Sequence, residues 1–102
     1  MRDLYHPRVE DVALASVLHA LSDPVRLEIV RVLSGVGEAP CSSLNGAVSK
    51  STMSHHFKVL REAGVTHTRA NGTKRMMSLR QDELEAKFPG VLSSILQSSK
   101  AA

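Results

Sequence analysis

The chain has 102 residues, 42% of them hydrophobic but only 3% aromatic, with no tryptophan and one cysteine. These figures bound it to one small domain, residues 1–102, with an aliphatic core. No apolar run is long enough to span a bilayer, no basic-then-apolar leader opens the chain, and Cys41 has no partner for an internal disulfide, so a membrane role is excluded and a soluble protein of a reducing, cytoplasmic setting is expected. The net charge of +3 is unevenly spread: residues 49–80 carry seven Lys or Arg against one acid, residues 1–48 four against six, and residues 81–102 two against three. Such segregation is expected of a surface that meets a polyanion, here double-stranded DNA.

Residues 1–8 (MRDLYHPR) read as a short arm with Pro7. From Val9 to Leu21 the pattern is helical and, after Asp11, apolar on most sides, Leu14, Val17 and Leu18 included. A surface helix shows one apolar stripe, so one this greasy needs a second cover, and in so small a domain a partner subunit is the simplest. Ser22-Asp23-Pro24 sets a capping side chain before a proline at the first helical position. The second helix runs to about Leu33, with Val25, Ile29, Val30 and Leu33 at core spacing and Arg26, Glu28 and Arg31 outside it. Gly35 to Pro40 reads as a loop. Ser42 and Ser43 open a short helix to about Val48, and Ser49 or Ser51 caps the next. At about 100° per residue that helix gathers Met53, Phe57, Leu60 and Gly64 on one side and Ser51, His55, Lys58 and Glu62 on the other, with Thr52 and Ser54 flanking and His56 at the apolar margin.

A basic β-hairpin follows, turning at Asn71-Gly72. A two-residue turn would pair Val65 with Ser78, whereas a three-residue Ala70-Asn71-Gly72 loop pairs Val65 with Met77 and sets apolar opposite apolar; register follows the buried face, which favours the second. Gln81 to Lys87 forms a short helix, Pro89 interrupts it, and Val91 to Gln97 adds a last apolar turn or two.

This order of elements, mainly α with a β-hairpin, is that of a winged helix-turn-helix. The stretches LSDPVRLEIVRVL (21–33), SKSTMSHHFKVLREAGV (49–65) and TRANGTKRMMSLR (68–80) resemble the ArsR/SmtB family of small bacterial repressors, the likeness running from about residue 12 to 80. The resemblance implies a homodimer docked through its first and last helices (segments 9–21 and 89–99, with Leu14, Val17, Leu18, Leu92 and Ile95 at the seam), a recognition helix from Ser51, and the hairpin as its wing. It also implies a transcriptional repressor bound to an inverted-repeat operator and released by an inducer. The chemistry agrees, because a helix fits the major groove and small polar side chains near its N-terminus reach base edges. Lys50, Ser51, Thr52, Ser54 and His55 are the candidates for that contact; Lys58 and Arg61 suit phosphate, and Arg69, Lys74 and Arg75 suit the backbone or minor groove from the wing.

The family's metal sites do not transfer. The thiolate version needs two or more close cysteines where this chain has only Cys41 in GEAPCSSLN, and the C-terminal version needs histidines that residues 81–102 lack. No metal or other cofactor is therefore assigned, and the inducer is left open. Cys41 is a candidate redox switch, but no basic residue lies within eight positions of it to lower its pKa, and a small buried or capping residue is the simpler reading. His6, His19 and His67 have no metal-ligand spacing. No nucleophile with a nearby base, phosphate-cradling glycine loop or His-Glu-x-x-His helix supports an enzyme. The rival class is a winged helix used for protein–protein contact, or a constitutive DNA-binding module without an inducer.

Overall fold

The computed structural model describes residues 4–100. After a single 3-10 turn at Val9–Asp11 come α1 (Leu14–Ala20), α2 (Pro24–Val36), β1 (Glu38–Pro40), a second 3-10 turn at Cys41–Leu44, α3 (Lys50–Glu62), β2 (Thr66–Asn71), β3 (Lys74–Leu79), α4 (Gln81–Lys87) and α5 (Val91–Lys100). Helices α2 and α3 flank the second 3-10 turn as a helix-turn-helix, and the strands form an antiparallel sheet in the order β1-β3-β2, a winged-helix arrangement. Residues 1–3 of the N-terminal arm lie outside the described residues.

Leu33 of α2, Met53 and Leu60 of α3, Met77 of β3 and Leu92 of α5 are fully buried and join the layers. Helix α2 starts where expected: Asp23 accepts from the Val25 and Arg26 amides at 2.8 and 3.2 Å, ahead of Pro24. Burial pushes the Asp23 carboxyl up, but those two amides and the nearby Arg26 charge outweigh it and hold it below the usual range.

Four expectations need correction. The single helix over Val9–Leu21 is broken at Val12 and Ala13, both extended. The Lys87 ammonium donates to the carbonyls of Val9, Glu10 and Val12 at 2.7–2.9 Å, so groups that would otherwise continue a helix find their partner on α4. Helix α2 runs through Gly35 to Val36, and the left-handed cap falls on Gly37, whose N–H bonds Leu33 O at 2.8 Å. Part of the expected loop is β1, which pairs Ala39 with Met77; three residues ending in proline carry no periodicity, and the edge position tolerates Pro40. The short helix to Val48 is only the 3-10 turn Cys41–Leu44.

The hairpin register also differs. Asn71 pairs with Lys74, leaving a Gly72-Thr73 turn with positive φ on Gly72 alone, the type II′ pattern. Thr68 therefore faces Met77 and Thr66 faces Leu79, while Val65 lies outside the ladder and accepts from the Arg80 amide. Thr68 takes the position opposite Met77 that apolar-to-apolar matching assigned to Val65, and Val65 is fully buried outside the ladder.

Gly64 closes α3. Its N–H bonds Arg61 O and the Val65 N–H bonds Leu60 O, a Schellman motif that needs the left-handed φ of 85° at Gly64. A Cβ there would collide with the Val12 side chain. Gly64→Ala is expected to cost about 1–3 kcal/mol from backbone strain and overpacking together. A urea midpoint equal to that of the parent would contradict this.

Candidate nucleic-acid interface

Ser49 caps α3, its Oγ accepting from the Thr52 amide at 3.4 Å. Met53, His56 and Leu60 turn inward, Phe57 is half-buried, and Lys50, Ser51, Thr52, Ser54, His55 and Lys58 are exposed. The helix thus presents short polar and basic side chains over its N-terminal turns, the end that enters a major groove.

Its orientation is set by an unexpected residue. Arg26, which periodicity assigns to the outside of α2, is 7% exposed. Its guanidinium donates to Ala20 O at 2.7 Å and His19 O at 3.4 Å, and meets His56 Nδ1 at 3.2 Å. A guanidinium only donates, so Nδ1 is the acceptor in this contact. One side chain therefore joins the end of α1, helix α2 and the buried face of α3.

The basic surface is smaller than the composition suggests. Arg69 of the wing donates to both Glu38 oxygens at 2.7 and 2.8 Å across β3, and this bond holds the Glu38 carboxyl below its usual range. Arg80 is mostly buried, pairs with Glu83 and donates to Pro7 O. Five cations of the 49–80 segment, Lys50, Lys58, Arg61, Lys74 and Arg75, make no ion pair among the described residues. Four of them, all but Lys74, line one concavity of about 370 Å³ between α3, the Cys41–Leu44 turn and the wing. Arg69, a candidate DNA contact, is paired with Glu38 but stays about half exposed. Nothing in the sequence marks Glu38, a lone acid 31 positions away, as its partner.

Cys41 lies half-buried at the edge of this concavity. Burial pushes its thiol pKa up, against the pull of Arg75 and Arg61. Two guanidinium groups thus reach it through space although none is near in sequence, yet the thiol stays harder to ionise than usual, unlike a reactive cysteine. His6 and His67 stack with ring centroids 4.5 Å apart, and His6 Nε2 accepts from the Thr68 amide at 3.0 Å. Burial, followed by the His67 charge, lowers the His6 pKa, which suits the acceptor role. The pair fastens the N-terminal arm to the wing.

A family model described as a helix-turn-helix domain matches residues 21–69. The helix-turn-helix-type transcriptional regulator YceK of Bacillus subtilis is 39% identical over 89 residues, covering 84% of this chain and 89% of that protein. The arsenical resistance operon repressor of Staphylococcus xylosus is 40% identical over 73 residues, covering 71% and 70%. This chain belongs to the ArsR/SmtB family. Among solved structures, the transcriptional repressor BigR of Xylella fastidiosa superposes with a TM-score of 0.61 at 31% identity, covering 74% of this chain and 85% of that one.

As an ArsR/SmtB protein the chain is a DNA-binding transcriptional regulator, not an enzyme. The family's thiolate metal centre does not fit the residues present. The one sulfur in place is a half-buried thiol with a raised pKa, facing two guanidinium groups that would repel a metal cation. Among the described residues no three His, Cys, Asp or Glu side chains cluster as metal ligands, and no helix is long and apolar enough to cross a membrane.

Of the five residues expected at a dimer seam, Leu14 and Leu18 are 40% and 44% exposed and Ile95 is half-buried. Val17 and Leu92, each 2% exposed, sit inside the protomer's own core and have no surface to offer a partner.

Proposed function

We propose that this ArsR/SmtB protein is a cytoplasmic, homodimeric repressor that binds an inverted-repeat operator and leaves it when an inducer binds. The observation that carries this reading is the exposed polar N-terminal half of α3 beside cations that lack acidic partners. Ser51, Thr52, Ser54 and His55 reach base edges, with Lys50 at the rim. Lys58, Arg61, Lys74 and Arg75 meet phosphates. A two-fold dimer repeats this arrangement, so its half-sites lie about one helical turn apart. Leu14, Leu18 and Ile95 supply the seam.

A salt-titrated binding assay on DNA from upstream of its own gene tests the assignment. Affinity should fall linearly on a log–log plot, with a slope near −0.9 for each phosphate neutralised. Lys74→Ala or Arg75→Ala should weaken all sequences alike and shorten that slope by about 1, whereas Ser51→Ala or His55→Ala should relax base preference by about 1–3 kcal/mol. Affinity unmoved by all four changes would remove these surfaces from the interface. A salt-independent affinity would favour a protein partner over DNA.

A further inference from the structure

We propose that the concavity between α3 and the wing is a binding site for a small organic phosphate monoester, and that filling it releases DNA. The second half of the proposal rests on the DNA-contact reading of Lys58 and Arg75. Lys50, Lys58, Arg61 and Arg75 line the space and no acidic side chain does. Elsewhere among the described residues Arg8, Arg31, Arg69 and Arg80 each have a carboxylate partner, and buried Arg26 has carbonyls. Among the described residues, Arg61 and Arg75 are therefore the arginines without a carboxylate or carbonyl partner.

Two residues that line the site also hold buried polar atoms without a hydrogen-bond partner. Thr68, 7% exposed, has a buried Oγ1 with no hydrogen-bond partner, and the buried Arg61 Nε has none. Leaving such groups unsatisfied is costly to a fold. An oxyanion seated among Lys50, Lys58, Arg61 and Arg75 makes charge-assisted hydrogen bonds stronger than those water offers. At about 370 Å³ the space exceeds that needed for an inorganic ion and lies at the lower end of small-molecule sites, and half-buried Phe57 supplies an apolar wall for a short carbon body. A duplex phosphodiester carries two free oxygens and a sugar on either side. A monoester offers three oxygens and one substituent, so it can meet more of the four cations at once. An occupant neutralises the cations that would otherwise meet the DNA backbone, so the two anions compete.

Glycerol phosphate titrated calorimetrically into the full chain without DNA is the probe, with sodium chloride at matched ionic strength as the control. The expected result is saturable binding of one ligand per protomer, weakened about tenfold by Arg61→Gln and by Thr68→Val, each variant checked for native helicity. Glycerol phosphate should also displace labelled operator DNA from the parent, and Thr68→Val should keep its DNA affinity yet resist displacement. Heats no different from chloride, or binding untouched by both variants, would overturn the proposal. If the ester fails to bind while Arg61→Gln weakens DNA binding, the concavity is a backbone-phosphate seat and only the DNA reading survives. If the ester binds with the expected variant effects and the parent shows no affinity for DNA, the anion site stands and the repressor reading falls.

Discussion

Arg26→Ala is expected to lower the free energy of unfolding by about 2–4 kcal/mol, the largest loss anticipated for a single polar side chain in this protein. The substitution removes donors to the carbonyls of Ala20 and His19 and to His56 Nδ1, and it opens a cavity where a long aliphatic stem was buried. Arg26→Met separates the two contributions, since it restores most of the volume and none of the hydrogen bonds. It should recover part of the loss and leave His56 without its partner. Because the guanidinium ties α1 and α2 to the buried side of the recognition helix, Arg26→Met should also weaken operator binding at temperatures where the variant is fully folded. Urea melts and DNA titrations on both variants check this; a midpoint within error of the parent for Arg26→Ala would show that the buried guanidinium contributes nothing net to the fold.

Leu18→Glu is expected to give a folded monomer with DNA affinity about 10²–10⁴-fold weaker than the parent. Leu14 and Leu18 stand one turn apart on α1 and are 40% and 44% exposed in the protomer, so a charge at Leu18 costs less within one chain than inside an apolar seam. Losing the link between two half-site contacts removes the advantage of high effective concentration, which sets the expected size of the affinity loss. Val17→Glu is the contrasting variant. Val17 is 2% exposed and belongs to the protomer's own core, so its replacement should unfold the chain rather than split a dimer. Sedimentation and circular dichroism distinguish the two outcomes. A Leu18→Glu protein that still sediments as a dimer would exclude this face of α1 from the seam.

Much of the fold was legible because it rests on local signals. Ser22-Asp23-Pro24 starts α2, Ser49 caps α3, and Gly64 ends it, each through a side chain or φ value acting within a few residues. The two faces of α3 follow from 3.6-residue periodicity, so the polar candidates on its N-terminal turns could be named from order alone. The misreadings share a different cause. The break between Val9 and Leu14 depends on Lys87, β1 depends on the edge of β3, and the hairpin register depends on which side chains the helices cover.

The charge pattern shows the same division at the functional surface. Composition and spacing were sufficient to locate a basic helix-and-hairpin unit, its likeness to ArsR/SmtB regulators, and the lack of that family's metal ligands, since counts and short-range order are properties of a chain before it folds. Folding alone decided which of those charges are available. It joined Arg69 to Glu38, buried Arg26 against His56, and gathered Lys50, Lys58, Arg61 and Arg75 around one concavity beside Cys41. Coulombic pairing and burial depend on separation in space, and contacts between residues 30 or more positions apart leave no periodic trace in a single sequence.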